Sequence, residues 1–346
     1  GFVVSCRVEG HGELSEGTVV AQNGQSVTVE VVDELRPFSH FETNGVWATD
    51  ERQLEIPAVR GDIAVTAFFD SFEFYVNAAT GDDGNDGLSP ETAFASIQMA
   101  VDAALDGETI HVADGTYEPI YVSENSGRRL LIVSDHGAEH TVIDGGGRNT
   151  CASLYSGNVT NIVLRGFTLT NGYGYWGGGI QDGQCEYCII TGNRSENVAG
   201  GAYNATLRHC VVYGNSSARQ DGDVTYCTAY DTILWNNQYG VDGSYGYYQS
   251  FYRCCADREW VNRYDGTINA DPLLAAPEYG NFRLRAGSPC LGTATDGGNI
   301  GWYQGAGVEG YVVIFDPGER GRFVSDAETV QFVSEGSDAT PPDVLP

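Results

Sequence analysis

The chain has 346 residues, 46 of them glycine and 11 proline, and carries a formal net charge of −29. All 18 basic residues are arginine, so no basic face is expected for nucleic acid or an anionic membrane, and no apolar run reaches the 18 residues of a spanning helix. Glycine follows no triplet period, which excludes collagen, and nine cysteines are too sparse for a disulfide scaffold. The acidity is read as solubility through self-repulsion rather than as a cation store. With Gly1 first and no signal-like run behind it, the chain is expected to be a mature or excised segment.

Residues 2–69 alternate between apolar and polar positions. "VVSCRVEG", "SVTVEVVDE", "QLEIPAV" and "DIAVTAFF" read as strands broken by Gly and Asn turns. The stretch resembles the internalin-type B-repeat, a small β-grasp-like module that serves as a spacer in bacterial surface proteins. Domain boundaries are expected at 1–70 for this module, 71–309 for the main body and 310–346 for a partial second module. That last part opens with "YVVIFDPGERGRFVSDAETVQFV" and resembles half of another B-repeat. From 311 onward it carries seven acids against two arginines, so alone it would bury little. Three readings stay open for it: a weakly ordered tail, packing on the body, or strand exchange with a neighbouring copy.

The body opens with "NAATGDDGNDGLSPETAF". Asp82, Asp83, Asn85 and Asp86 crowd one glycine-rich loop. Such side chains bond back to their own backbone in sharp turns, and Gly81, Gly84 and Gly87 permit positive φ. A second reading is a Ca²⁺ site, because hard cations take clustered oxygen ligands, although the EF-hand spacing does not match. No cofactor is otherwise required. After the loop, Phe94, Ile97, Val101 and Ala104 recur at helical spacing, which predicts an amphipathic helix of about three turns, with Thr92 or Ser96 at its start. Laid across the end of a strand stack, this helix would cap it.

A step of 22 residues then recurs. Asn171, Asn193, Asn215 and Asn237 close "GFTLTN", "CIITGN", "CVVYGN" and "TILWNN" in turn, and Cys188, Cys210, Thr232 and Cys254 keep the same interval. A fixed step with short β-like runs means a solenoid. The leucine ladder of a leucine-rich repeat is absent, so a parallel β-helix with about three strands per turn is expected, like stacking on like every ~4.8 Å. The Asn column reads as an amide ladder. The Cys column reads as small apolar filling, and a Cys188–Cys210 disulfide is a lesser alternative. "CEYC" at 185–188 lacks a second pair or a nearby His, so metal and redox roles are not expected.

"FYVNAATGDDGNDGLSPETAFASIQMAVDAALDGETIHVADGTYE" is similar to the N-terminal cap and first coil of the pectin-lyase-like superfamily, closest to bacterial surface members. "NADPLLAAPEYGNFRLRAGSPCLGTATDGGNIGWYQG" resembles their last coil and closing strand. "GGGIQ" and "GGAYN" resemble polymorphic outer-membrane-protein repeats. The fold class expected is therefore all-β: a single-stranded right-handed parallel β-helix with an N-terminal capping helix, between a β-grasp-like module and a partial one.

Resemblance to that superfamily implies lyases and hydrolases of acidic polysaccharides, but their paired aspartates and Gly-His-Gly are missing from the body. Asp221 and Asp223, two apart, and Arg258 are the weak catalytic candidates; the bland reading is solvated loop charge. Tyr173, Tyr175 and Trp176, with Tyr245, Tyr247, Tyr248 and Trp260, are the binding candidates, since exposed Tyr and Trp beside Gly make contact surfaces. The expected role is a non-catalytic, extracellular or cell-surface adhesin-like module. Its partners would be copies of itself in head-to-tail assembly, glycans or host-surface proteins. The alternative is a polysaccharide-active or glycan-binding protein.

Overall fold

The computed structural model describes residues 1–122, 127–155, 162–219, 224–237, 250–257 and 266–308, and the strands Gly310–Ile314, Arg322–Phe323, Val330–Ser334 and Val344–Leu345. The chain divides into two compact units: Gly1–Phe74 with Gly107–Thr109, and Tyr75–Asp106 with Ile110–Pro346. The strands beyond residue 309 fall in the second unit. There they pair among themselves, Gly310–Ile314 with Val330–Ser334 and Arg322–Phe323 with Val344–Leu345, both antiparallel.

The first unit is two sheets. Thr18–Ala21, Phe2–Glu9, Ile63–Phe69, Phe38–Thr43 and Val46–Thr49 lie in that spatial order in one; Gly12–Leu14, Val27–Glu34 and Gln53–Ile56 form the other. The first and last long strands run parallel, Val4 opposite Ile63. Alternation places Val4, Val29, Phe41, Val65 and Ala67 in the shared core. The buried Glu108 carboxylate receives both arms of the Arg36 guanidinium, each at 2.6 Å. A buried charge is tolerated only with such a partner.

The second unit is a parallel β-helix. Each middle coil visits four faces, one more strand than the sequence suggests. Gln184–Glu186, Ile189–Thr191, Arg194–Val198 and Ala202–Tyr203 make one coil, and Thr206–Arg208 begins the next directly above the first strand. We number the faces one to four in that order. Among the described residues the faces hold eight, seven, three and five strands. On face two every neighbouring pair is parallel, from Gly115–Tyr117 to Cys255–Ala256. Inward positions stack as Leu169, Ile190, Val212, Leu234 and Ala256 on face two, and as Ala152, Ile180, Ala202 and Val224 on face four.

The corners are two-residue bends, which need a left-handed backbone. Tyr187, His209, Asp231 and Arg253, each 22 residues after the last, all have φ near +50°. Such residues are uncommon singly; stacked, they are a coil corner repeated. Where adjacent coils approach closely, only glycine fits. A Cβ on Gly178 would lie 2.3 Å from the Arg194 carbonyl oxygen, which accounts for "GGG" at 177–179 over "GG" at 200–201.

The 22-residue step holds from Ile189 to Val211, Ile233 and Cys255, but the step below is 21, Thr168 facing Ile189. This corrects the Asn column. Asn193, Asn215 and Asn237 are buried, and each Nδ2 donates to a carbonyl of the coil below, Leu169, Ile190 and Val212 respectively, at 2.8–2.9 Å. Asn215 Oδ1 accepts from the amide and the Nδ2 of Asn193, and Asn237 Oδ1 does the same for Asn215. Asn171 is not in this ladder. It sits at the preceding corner with φ +54°, above it Gly192, and Gly172 takes the ladder position, its amide donating to Asn193 Oδ1.

The segment expected to form a last coil does otherwise. Ile268 adds one more parallel bridge to face two, opposite Cys255; residues 274–284 then form an antiparallel hairpin, and 274–303 fold back along the outside of that face. There the outward Ile189, Val211, Ile233 and Cys255 meet Leu274, Phe282, Leu284, Cys290 and Ile300 in a second core. Each such side chain removed from water contributes about 1.5–3 kcal/mol.

Helix α1, Ile97–Ala103, is two turns, shorter than its pattern suggests. Ser96 is its N-cap, accepting from the Met99 amide. Ala104 follows in extended backbone, and the apolar Ile97, Ala100 and Val101 face inward.

Candidate functional site

A groove of about 800 Å³ runs between the outer surface of face two and the folded-back hairpin. Strand alternation turns Val142, Thr168, Thr170 and Thr191 outward to form its floor. The hairpin supplies the wall: Ala276, Tyr279, Asn281, Phe282 and Arg283. Glu139 stands at the rim, and its Oε2 lies 2.5 Å from Arg283 Nη2. The second core holds Phe282 and so fixes the hairpin, while the Trp302 indole donates to the Phe282 carbonyl at 3.3 Å. Tyr279 is 47% exposed.

The Arg283 side chain is 42% exposed, so its guanidinium faces the groove beside the bond to Glu139, while its Nε is buried. The hydrogen bond from Arg283 to Glu139 raises the guanidinium pKa further. The group therefore stays charged and cannot act as a base. Among the described residues Glu139 is the one carboxylate of the lining, and it is tied to Arg283. The groove thus offers a charged fork, a row of hydroxyls and a phenol ring. Its volume lies in the usual range for ligand sites.

Of the predicted binding residues, Tyr175 and Trp176, on a face-three strand, join a surface row that continues to Tyr203 on face four. Tyr175 meets Trp176 edge to face at 5.1 Å, Trp176 stacks on Tyr203 at 5.5 Å and 12°, and Tyr203 meets Tyr226 at 5.6 Å. Tyr173 opens the same short strand, opposite Arg194. Tyr203 and Tyr226 escape a search for aromatic-rich loops, because each stands alone in its stretch of sequence. Tyr245, Tyr247, Tyr248 and Trp260, and the catalytic candidates Asp221, Asp223 and Arg258, lie outside the described residues.

The acidic loop turns its oxygens to its own backbone. Asp82 Oδ1 accepts from the Gly84 amide at 2.8 Å, and Asp86 Oδ1 from the Leu88 amide and the Thr92 hydroxyl. The Asp83 carboxylate takes the Ala95 and Ser96 amides and the Ser96 hydroxyl, so it holds the start of α1; Asn85 Nδ2 donates to the Ala93 carbonyl. These bonds hold Asp86 below the usual carboxylate range, the Thr92 hydroxyl first. Among the described residues no three His, Cys, Asp or Glu side chains converge as a metal site.

One further cluster has no counterpart in the sequence reading. His209 stacks on Tyr187 at 4.8 Å, and its Nε2 lies 3.5 Å from Asp296 and 4.0 Å from Asp231. Asp231 Oδ1 accepts the amide and hydroxyl of Thr295. The 22-residue step from Tyr187 through His209 to Asp231 was a readable signal for it. Its partners at 295 and 296 come from the folded-back segment, so the cluster fastens that segment to the corner column.

No family model matches the chain, and no curated protein does. Among solved structures, the complex of XylC with xylose aligns with a TM-score of 0.31 at 12% identity, over 54% of this chain and 62% of that one. A GH136 lacto-N-biosidase from Eubacterium ramulus gives 0.26 at 11%, over 54% and 40%. Pectate lyase Pel9A gives 0.31 at 11%, over 68% and 96%. The chain thus spans less than two thirds of the first two. Overlaps of this size carry nothing over to this chain, whose fold rests on its own strand register.

Proposed function

We propose that this protein is a glycan-binding β-helix that holds a short carbohydrate segment in the groove over face two. The carrying observation is the groove itself: Thr168, Thr170 and Thr191 on the floor, Tyr279 on the wall, and the part-exposed Arg283 guanidinium. Rings beside hydroxyl and guanidinium donors suit a sugar, whose faces are apolar and whose edges are polar. Binding without cleavage is favoured, because hydrolysis needs two separated carboxyls and, among the described residues, the lining holds one, Glu139, which is tied to Arg283. In this reading the protein works outside the cell, where polysaccharide is met, and α1 covers the first end of the coil. That second assignment is supported by Gln98, which bonds both the amide and the carbonyl of Tyr121 on the outermost strand of face four.

A glycan panel titrated by calorimetry tests the proposal. At least one oligosaccharide is expected to bind, and Arg283→Ala and Tyr279→Ala are each expected to weaken it about tenfold or more, the loss of a charged or ring contact of ~1.4 kcal/mol. Reducing-end and unsaturated-uronate assays should stay flat. Binding that survives both substitutions, or turnover, overturns the assignment. The aromatic row Tyr175, Trp176, Tyr203 and Tyr226 favours a second reading, an adhesive contact across faces three and four; Trp176→Ala would then be the damaging change and Arg283→Ala harmless.

A further inference from the structure

Several polar groups of the groove keep bonding capacity, and their order decides which ligands fit. Thr170 and Thr191 stand opposite each other on neighbouring strands of face two. Among the described residues neither hydroxyl has a partner, whereas Thr168 Oγ1 donates to the Ala138 carbonyl at 2.6 Å. Beside them, Arg283 and Glu139 are joined by one bond, Nη2 to Oε2 at 2.5 Å. The Tyr303 ring centre, 5.8 Å from Arg283 Cζ, backs the guanidinium. Among the described residues Arg283 Nη1 and Glu139 Oε1 have no partner, so the pair offers a donor next to an acceptor.

The charges of the lining balance, and its cation is already paired. Glu278 adds an acid on the one-turn helix that carries Tyr279, and the whole chain carries −29. An anionic sugar is therefore repelled on approach. On arrival it must take Arg283 from Glu139 and leave that carboxylate, only 28% exposed, without its partner. A neutral sugar meets neither cost. Each hydroxyl of a vicinal diol both donates and accepts, so one takes a bond from Nη1 and the other gives one to Oε1 while the ion pair stays closed.

Taking the groove as a glycan site, we propose that the Glu139–Arg283 pair selects neutral glycans, binding a vicinal diol and rejecting uronic acids. Glu139 is the specificity-determining residue, because it holds the cation that a carboxylate ligand would need.

Calorimetry on the full chain compares cellotetraose, mannotetraose and galactotetraose with their C6-oxidised uronic counterparts, which keep the linkages and the ring hydroxyls. At least one neutral tetrasaccharide should bind, with the same affinity in low salt and in about 0.3 M NaCl. Its oxidised counterpart should bind about tenfold or more weakly, and salt should narrow the gap by screening the repulsion. The 2,3-di-O-methyl form of the neutral binder should not bind. In Glu139→Gln the oxidised sugar should gain about tenfold, because Arg283 is released to it, while the neutral one loses affinity. An oxidised sugar that binds wild type as well as its neutral parent does overturns the selection but leaves the groove a glycan site. Binding that survives methylation overturns the diol contact. No gain for the oxidised sugar in Glu139→Gln removes Glu139 as the selector. Silence across both sets overturns the glycan site and the selection with it. If Glu139→Gln does not fold, the paired wild-type titrations still decide.

Discussion

At the scale of single residues, two asparagines one register apart separate ladder from corner. Asn215 is fully buried and its carboxamide bonds the coils below and above, whereas Asn171 lies at an exposed corner with φ +54°. Asn215→Ala strands the Asn193 amide and is expected to cost about 2–3 kcal/mol in urea unfolding. Asn171→Gly relieves a left-handed backbone and loses only an exposed bond to Asp144, so it should change stability by about 1 kcal/mol or less. Equal losses would return Asn171 to the ladder. The sequence makes the period legible because stacking forces chemical likeness up a column. It hides the single 21-residue step, because "TNG" at 170–172 and "TGN" at 191–193 differ only in order. The groove is less legible still. Arg283 and Glu139 are 144 residues apart, and only packing of the outward Ile189, Val211 and Ile233 brings them together.

At the scale of elements, loops on successive coils are joined by exposed pairs whose strength depends on pH. Asp114 and His136 are 22 residues apart, and His136 Nδ1 lies 2.8 Å from Asp114 Oδ1. The hydrogen bond to Asp114, then its charge, raises the imidazole above its ordinary value. A raised folded-state pKa means the pair's contribution is fully present below the unfolded value of about 6.5 and is lost as pH rises through the folded one. Proton NMR should therefore find the His136 midpoint above 6.5, and Asp114→Asn should bring it back. A wild-type midpoint at or below 6.5 would remove the link between these coils. The pair is solvated, so the effect belongs to local order and not to the survival of the fold.

At the scale of the whole chain, the β-helix unit has two cores on either side of one sheet, and neighbouring residues report on them separately. Val211 and Val212 are both fully buried, yet Val211 faces the folded-back segment and Val212 the coil interior. An isolated carboxylate is not tolerated in either place. In Val212→Asp the charge falls among Ile190 and Leu234, which the coils cannot move away from, so the coil should unfold as a whole. In Val211→Asp the segment can release instead. Far-ultraviolet circular dichroism should then keep its β signal, while the amides of Leu274–Leu284 lose about 3 kcal/mol or more of exchange protection. Because the released hairpin carries Tyr279 and Arg283, ligand affinity should vanish in Val211→Asp although no groove side chain has changed. Two variants that fail alike, both unfolding the coil, would show instead that the outer layer is part of one cooperative structure. The groove would then be as rigid as the coil beneath it.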